Sequence, residues 1–375
     1  MNTSNLVHKR IVLKLGTSLL TGNSDHLDMG IISALVSQVA AVHTMGAEVV
    51  IVTSGAVAAG RQRIKSNHEL HGTPLRQVLA AVGQAHLMQV YEAQFEKHNI
   101  TVAQALLTKS DLSDRSGYLN ARNTFANLLE LGIVGIVNEN DVVAVDELTG
   151  ARFGDNDNLS AMVANLVDAD ILVILTDILG LYTADPHTSP NACLVPEVLN
   201  IDTTIENMAS DTASKLGTGG MTTKIEAARL ATNSGVTVVI TNGNQPNILQ
   251  RLVQGESIGT RFVPSSTKLE SRERWMLSGL CTRGSLMIDN GASEALKHQN
   301  KSLLPAGVLG LHGEWQRGDL VDICTNETHI GSGIVNYSSA DMQRIKGLHS
   351  AQIAQTLGYD YGAELIHRNN LIIIK

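Results

Sequence analysis

A chain of 375 residues, 43% of them apolar and 17% charged, exceeds one ordinary domain and can bury a sizeable core. Thirty-three glycines, seven prolines and 3% aromatics fit aliphatic parallel strands joined by glycine-rich turns, and they exclude a disordered, collagen-like or coiled-coil chain. A net charge of −8 excludes a protein that is basic throughout, as a general nucleic-acid binder is.

Apolar runs and helical patterns alternate from the start. Residues 10–15 read as a buried strand, 16–23 as a loop, and 28–45 as a helix with Gly46 just past its end. Residues 48–53 form a second buried strand, and a helix begins over 54–60. A long helix is expected over 74–98, with a proline at an early position. Then follow a strand at 101–107, a helix at 115–131, a strand at 133–137, a helix at 155–167 and a strand at 170–176. The pattern closes with a helix at 222–233, a strand at 236–241 and a short helix at 246–254.

Continuous Val/Ile/Leu strands between amphipathic helices predict an open, mostly parallel α/β sheet with helices on both faces. Near residue 265 the texture changes. A polar, charged stretch at 265–282 reads as a linker between a first domain (1–264) and a small β-rich one (283–375). Short strands are expected there at 285–288, 307–311, 320–324, 330–335 and 371–374. The acidic excess lies before residue 269, with 25 acids against 18 bases; 11 acids meet 10 bases after it.

Cys193, Cys281 and Cys324 are odd in number and widely spaced, which argues against a disulfide framework or a thiolate zinc site. The N-terminal apolar run is short and interrupted by Lys14 and Gly16, unlike a signal peptide. No run approaches the ~20 apolar residues of a membrane span, so the expectation is a soluble, cytoplasmic protein.

Phosphate-loop, dinucleotide, zincin and nucleophile-elbow signatures are all missing. Asp155-Asn156-Asp157-Asn158 lacks the glycine and closing glutamate of an EF-hand. In parallel sheets ligands bind beyond the C-terminal strand ends, and four polar loops stand there. In Lys14-Leu15-Gly16-Thr17-Ser18, a lysine inside a buried run beside turn amides is a phosphate site or an edge lysine reaching out to water. In Thr53-Ser54-Gly55-Ala56, Ser54 and the next amides hold an anion, or Ser54 is only an N-cap. Asn138-Glu139-Asn140-Asp141 and Phe153–Ser160 concentrate carboxylates and carboxamides, which make either a solvated turn or a site for a cation or ammonium. In Thr218-Gly219-Gly220-Met221-Thr222-Thr223-Lys224, glycines lead into a helix whose N-terminus favours anions. Lys224 opposes that helix dipole, a conflict that a bound polyphosphate explains.

Together these strings, with Leu175-Thr176-Asp177, resemble the amino acid kinase family over nearly the whole chain, and the tail from Arg283 through Leu303–Gly307 to Asp319 resembles a PUA domain. The connector Asp146–Arg152 departs from the pattern, so no role is carried onto it. The resemblance implies phosphorylation of the side-chain carboxylate of L-glutamate by ATP, with Mg²⁺ carried in on the nucleotide. It implies Lys14 and Lys224 as catalytic lysines and Asp157 as their organiser or a substrate contact. Ser54, Asp141 and Asn156 would hold glutamate. Lys14, Thr176, Asp177, Thr218, Gly219, Gly220, Met221, Thr222, Thr223 and Lys224 would hold the nucleotide. A homo-oligomer and feedback inhibition by proline are further implications. The runner-up is another member of the family, acting on acetylglutamate, aspartate or uridylate. A reading of another class is RNA binding through the PUA-like domain, against which the near-neutral C-terminal charge counts.

Overall fold

The computed structural model describes residues 6–64, 72–144, 156–186, 188–211, 220–264, 267, 282–299, 301–325 and 328–373. The chain divides into two compact units, Met1–Leu112 with Ala121–Ser271, and Ser113–Asn120 with Arg272–Lys375. The expected linker, 265–282, lies almost wholly outside the described residues. Nothing in the sequence announces that residues 113–120 group with the second unit.

The first unit is built on β1 (Arg10–Leu15), β2 (Glu48–Val52), β3 (Val102–Leu107), β4 (Val134–Glu139), β5 (Ile171–Thr176), β6 (Glu197–Val198), β7 (Thr237–Asn242) and β8 (Thr260–Phe262). They form one eight-stranded sheet in the order β3-β4-β2-β1-β5-β7-β8-β6. Every pairing is parallel except β7 with β8. The central strands are apolar on both faces because helices cover both, which is why they read as unbroken apolar runs.

Side chains alternate across the sheet. Leu13 and Leu15 enter a core with Ile32, Leu35 and Val39 of α2 (Met29–Thr44) and with Leu87 and Phe95 of α4 (Gly72–Glu96). Lys14 therefore emerges on the opposite face, where α7 (Asn156–Leu166) packs on β1 and on α9 (Met221–Asn233). α2 begins and ends as its sequence signals ask. Asp28 Oδ1 accepts from the Gly30 and Ile31 amides at 2.8 and 3.0 Å. Gly46, at φ +94°, sits past the last turn in the left-handed region that disfavours a Cβ.

Short elements depart from the expectation. Residues 17–21, expected as loop, form α1 (Thr17–Thr21), and α5 (Lys109–Ser113) and α8 (Thr203–Asp211) were not foreseen. Nor were β6 and β8. Elements this short are held by tertiary contacts rather than by their own periodicity. The chain also contains α3 (Ala56–Arg63), α6 (Arg115–Glu130) and α10 (Ile248–Val253).

The second unit holds a five-stranded sheet of β9 (Gly284–Ile288), β10 (Val308–Gly313), β11 (Leu320–Thr325), β12 (Thr328–Ile334) and β13 (Leu371–Ile373). Its order is β10-β9-β11-β12-β13, antiparallel except between β9 and β11. Leu286, Val321, Ile323 and Tyr337 lie in its core. Among the described residues, three α-helices accompany the expected strands: α11 (Asn290–His298), α12 (Ser339–Ile345) and α13 (Ile353–Leu357). Asp289 caps α11 through the Ala292 amide, and Ser338 caps α12 through the Asp341 amide. Among the described residues no helix is long and apolar enough to cross a membrane.

Candidate active site

Strand order reverses at the centre of the large sheet. From β1 the chain first builds leftward through β2, β3 and β4, then crosses to β5 and β7 on the right. A crevice opens at the C-terminal ends of strands at such a switch point. Lys14, one residue from the end of β1, lies in register with Val52 of β2 and Ile174 of β5.

Three charged side chains converge there. Lys14 Nζ lies 2.6 Å from Asp157 Oδ1, and Lys224 Nζ lies 3.3 Å from Asp157 Oδ2. Thr223 Oγ1 donates to the same Oδ2 at 2.8 Å. Asp157 is fully buried, and Lys14 and Lys224 keep only 3% and 7% of their surface exposed. Each charge comes from a different element: β1, the first turn of α7 and the first turn of α9. An aspartate in the first turn of α7 suits that helix's dipole, whereas a lysine in the first turn of α9 does not, and Asp157 compensates it. These three groups sum to one positive charge in a buried setting, the electrostatic description of a place for an anion.

Left of Lys14 lies a cleft of about 180 Å³ whose lining includes Ser54, Gly55, Asn138, Asp141 and Asn156. Ser54, Asp141 and Asn156 thus share one cavity although 102 residues separate the first from the last. Ser54 does not cap α3. Gly55 occupies the N-cap at φ +97°, and Ser54 Oγ instead accepts from Asn156 Nδ2 at 3.1 Å. The N-cap reading of Ser54 is thereby corrected, because the turn uses glycine's left-handed backbone and frees the hydroxyl.

Asn156 Nδ2 also donates to Asn138 Oδ1 at 3.3 Å, and Asn138 Nδ2 to Gln84 Oε1 at 2.8 Å. Asn156 Oδ1 is buried and has no hydrogen-bond partner among the described residues. Burial first, and then repulsion from Glu139, push the Asp141 carboxyl up to about 6. A buried acceptor beside a carboxylate held in so unfavourable a setting suits a ligand ammonium, which would satisfy both.

Several further residues stand at or beside this cleft that strand-end loops do not single out. Arg61 of α3 and Arg76 of α4 line it, and Arg61 lies 3.6 Å from Asp25. Tyr91 of α4 pairs its hydroxyl with Thr53 Oγ1 at 2.7 Å, next to Ser54, and burial raises that hydroxyl's pKa so that it stays neutral. These side chains sit on helices, where polar residues pass for solvent-facing ones.

Right of Lys14 stand Thr176 at the end of β5 and, beside it in register, Asn242 at the end of β7. Thr176 Oγ1 donates to Asp177 Oδ1 at 3.0 Å, and Asn242 Nδ2 to the Asp177 carbonyl at 2.8 Å. Gly220 is the N-cap of α9 and makes no side-chain cap; a Cβ there would meet nothing within 4 Å. Met221, Thr222, Thr223 and Lys224 form the first turn of that helix, while Thr218 and Gly219 lie outside the described residues. Among the described residues no group of three or more His, Cys, Asp or Glu is placed to hold a metal ion.

An open α/β sheet with buried lysines at its switch point, beside a cleft lined by Ser54, Asn138, Asp141 and Asn156, is the architecture of a transferase acting on anions. The chain belongs to the amino acid kinase family, whose model matches residues 9–242, and residues 284–357 match the PUA domain. It is 56% identical over 368 residues to a glutamate 5-kinase of Dehalococcoides mccartyi (strain CBDB1), covering 98% of this chain and 99% of that one. A glutamate 5-kinase of Herpetosiphon aurantiacus is 49% identical over 98% of both chains. One from Shewanella oneidensis is 44% identical over the full length of both.

Proposed function

We propose that this protein transfers the γ-phosphoryl group of ATP to the side-chain carboxylate of L-glutamate, giving L-glutamyl 5-phosphate, the first step of proline biosynthesis. The observation that carries this reading is the Lys14–Asp157–Lys224 cluster, buried between an ammonium-suited cleft and a capless helix N-terminus. The near-full-length similarity to glutamate 5-kinases supports the same choice of acceptor.

The acceptor carboxylate is ionised at neutral pH, so the reaction needs no general base. Its obstacle is the approach of one anion to another, and catalysis then consists of positioning and charge neutralisation. Lys14 and Lys224 bracket the transferring phosphoryl. Both are compact point charges able to follow its oxygens as they move. Asp157 holds the two ammonium groups in place with help from Thr223. Asp141 and Asn156 take the glutamate ammonium, and Ser54 completes the acceptor site. Thr176, Asp177 and residues 218–224 hold ATP. Mg²⁺ enters as part of that substrate, retaining phosphate and water ligands. Proline as a feedback inhibitor, a homo-oligomeric assembly and a cytoplasmic location complete the proposal. Cys193 and Cys324 are free thiols, as a reducing compartment allows.

Coupled ADP release with L-glutamate, L-aspartate, acetylglutamate and UMP tests the assignment. L-Glutamate alone should support rapid turnover, and added RNA should not alter the rate. Acetylglutamate has no ammonium and would leave Asp141 unpaired, so it should be a very poor substrate. Preference for acetylglutamate, aspartate or UMP would overturn the proposal.

A further inference from the structure

α4 carries one polar side chain toward the acceptor cleft every two turns. Gln77, Gln84 and Tyr91 are seven residues apart and so share one helix face. Gln77 Nε2 reaches the Asp141 and Val142 carbonyls at 3.5 and 3.4 Å, Gln84 Oε1 accepts from Asn138, and Tyr91 bonds to Thr53. The helix is set against α3 backbone to backbone. A Cβ on Gly83 would lie 1.8 Å from the Ala56 carbonyl oxygen, and one on Gly60 would lie 2.0 Å from that of Leu79. Gln84, next to Gly83, is therefore held where it is by the tightest contact between the two helices.

The direction of each amide in the chain Gln84–Asn138–Asn156 follows from one donor that cannot be reversed. The backbone N–H of Glu139 donates to Asn138 Oδ1 at 3.0 Å, so Asn138 must turn its oxygen that way and its Nδ2 toward Gln84. Turning the Gln84 amide over would set its Nε2 against Asn138 Nδ2, two donors with no acceptor. With Asn138 fixed, Asn156 must present Nδ2 to Asn138 Oδ1 and Ser54 Oγ, and both protons of that amide are consumed. Its Oδ1 is what remains for a ligand.

We propose that Gln84 is a positioning residue for acceptor recognition: by accepting from Asn138 Nδ2 it holds the Asn138 side chain in the orientation that the Glu139 N–H selects, so that Asn156 keeps its oxygen turned to the acceptor's ammonium. This rests on the reading of the acceptor as a zwitterionic amino acid. Gln84 reaches that ammonium only through the two asparagines, so removing its acceptor oxygen should weaken recognition of the amine and nothing else.

Gln84→Met keeps the length of the side chain and removes the amide acceptor, whereas Gln84→Glu keeps an acceptor oxygen. The assay is coupled ADP release, with glutarate, which is glutamate without its amine, as a competitive inhibitor. Gln84→Met should raise the KM for L-glutamate about tenfold, the effect of one misdirected hydrogen bond, and leave the KM for ATP and the Ki of glutarate within about twofold. Gln84→Glu should recover most of that loss. Equal losses for glutamate and glutarate would show a packing role only, and unchanged constants for both would show no role; either result overturns the proposal. A wild-type protein that phosphorylates no L-glutamate would overturn the functional reading and this one with it, which separates the two failures.

Discussion

Replacing Asp157 by Asn gives the most direct test of the site, because it keeps the shape and removes a carboxylate on which both buried lysines converge. Breaking a buried ion pair from one side costs about 3–5 kcal/mol, since the remaining charge is left in a poor dielectric. Asp157 is fully buried and its lysines nearly so, which places the variant inside that range rather than in the small range of surface pairs. For a unit of this size each kcal/mol moves the melting temperature by roughly 2–4 °C, so the ligand-free variant should melt on the order of 10 °C below wild type. MgATP brings negative charge to the same lysines. Saturating nucleotide at about 100 times Kd stabilises any binder by ~2.7 kcal/mol, and Asp157→Asn should gain more than that, so the melting gap narrows. Turnover should still fall by about 10²–10³, because the lysines lose their alignment on the phosphoryl group. Differential scanning fluorimetry with and without MgATP, beside steady-state kinetics, reads all three quantities. A variant that melts with wild type, gains the same from nucleotide and keeps its kcat would refute the view that Asp157 organises the lysines.

Lys14→Ala and Lys224→Ala should each lower kcat by orders of magnitude, about 3–4 kcal/mol of transition-state stabilisation, with the folded circular dichroism spectrum retained; near-normal kcat in either removes that lysine from the mechanism. Asp141 yields a pH signature. Its folded-state pKa of about 6 lies above the ordinary aspartate value, so the ligand-free protein should lose stability as pH rises from about 4 through 6, where the unfolded chain has already released the proton. Ammonium binding needs the ionised form, so the KM for L-glutamate should rise as pH falls through about 6, and Asp141→Asn should raise that KM and abolish its pH dependence while sparing the KM for ATP. Gly83→Ala would place a methyl 1.8 Å from the Ala56 carbonyl oxygen and force α3 and α4 apart; thermal melting should show a loss at or above the ~1–3 kcal/mol of ordinary overpacking.

Residues 10–15, 48–52 and 171–176 are legible as strands because both faces of a central parallel strand are buried, which leaves an unbroken apolar run in any window. Asp28 and Gly46 are legible as helix ends because capping is a local chemistry of one side chain or one backbone angle. The polar strand-end loops stand out for a related reason: polar residues directly after buried strands have few structural tasks, so Lys14, Ser54, Asp141, Asn156 and Asp157 invite a chemical reading before any contact is known. What periodicity cannot report is contact between distant segments. α1, α5, α8, β6, β8 and the three helices of the second unit are short and owe their existence to neighbours. Gln84 and Tyr91 look like the wet side of a helix, and only their spacing of seven from each other and from Gln77 hinted otherwise. Their roles were decided when Gly83 packed against Ala56 and brought that face over the acceptor cleft. Likewise, the sequence names a lysine, an aspartate and a second lysine, but that one buried carboxylate serves both ammonium groups is a fact of folding: Lys14 and Lys224 are 210 positions apart, and only the right-hand crossing to β5 and the packing of α7 on α9 bring them to the same Asp157. Local chemistry fixed what each residue could do, and the tertiary structure decided which residues do it together, because charge interactions depend on separation in space and not along the chain.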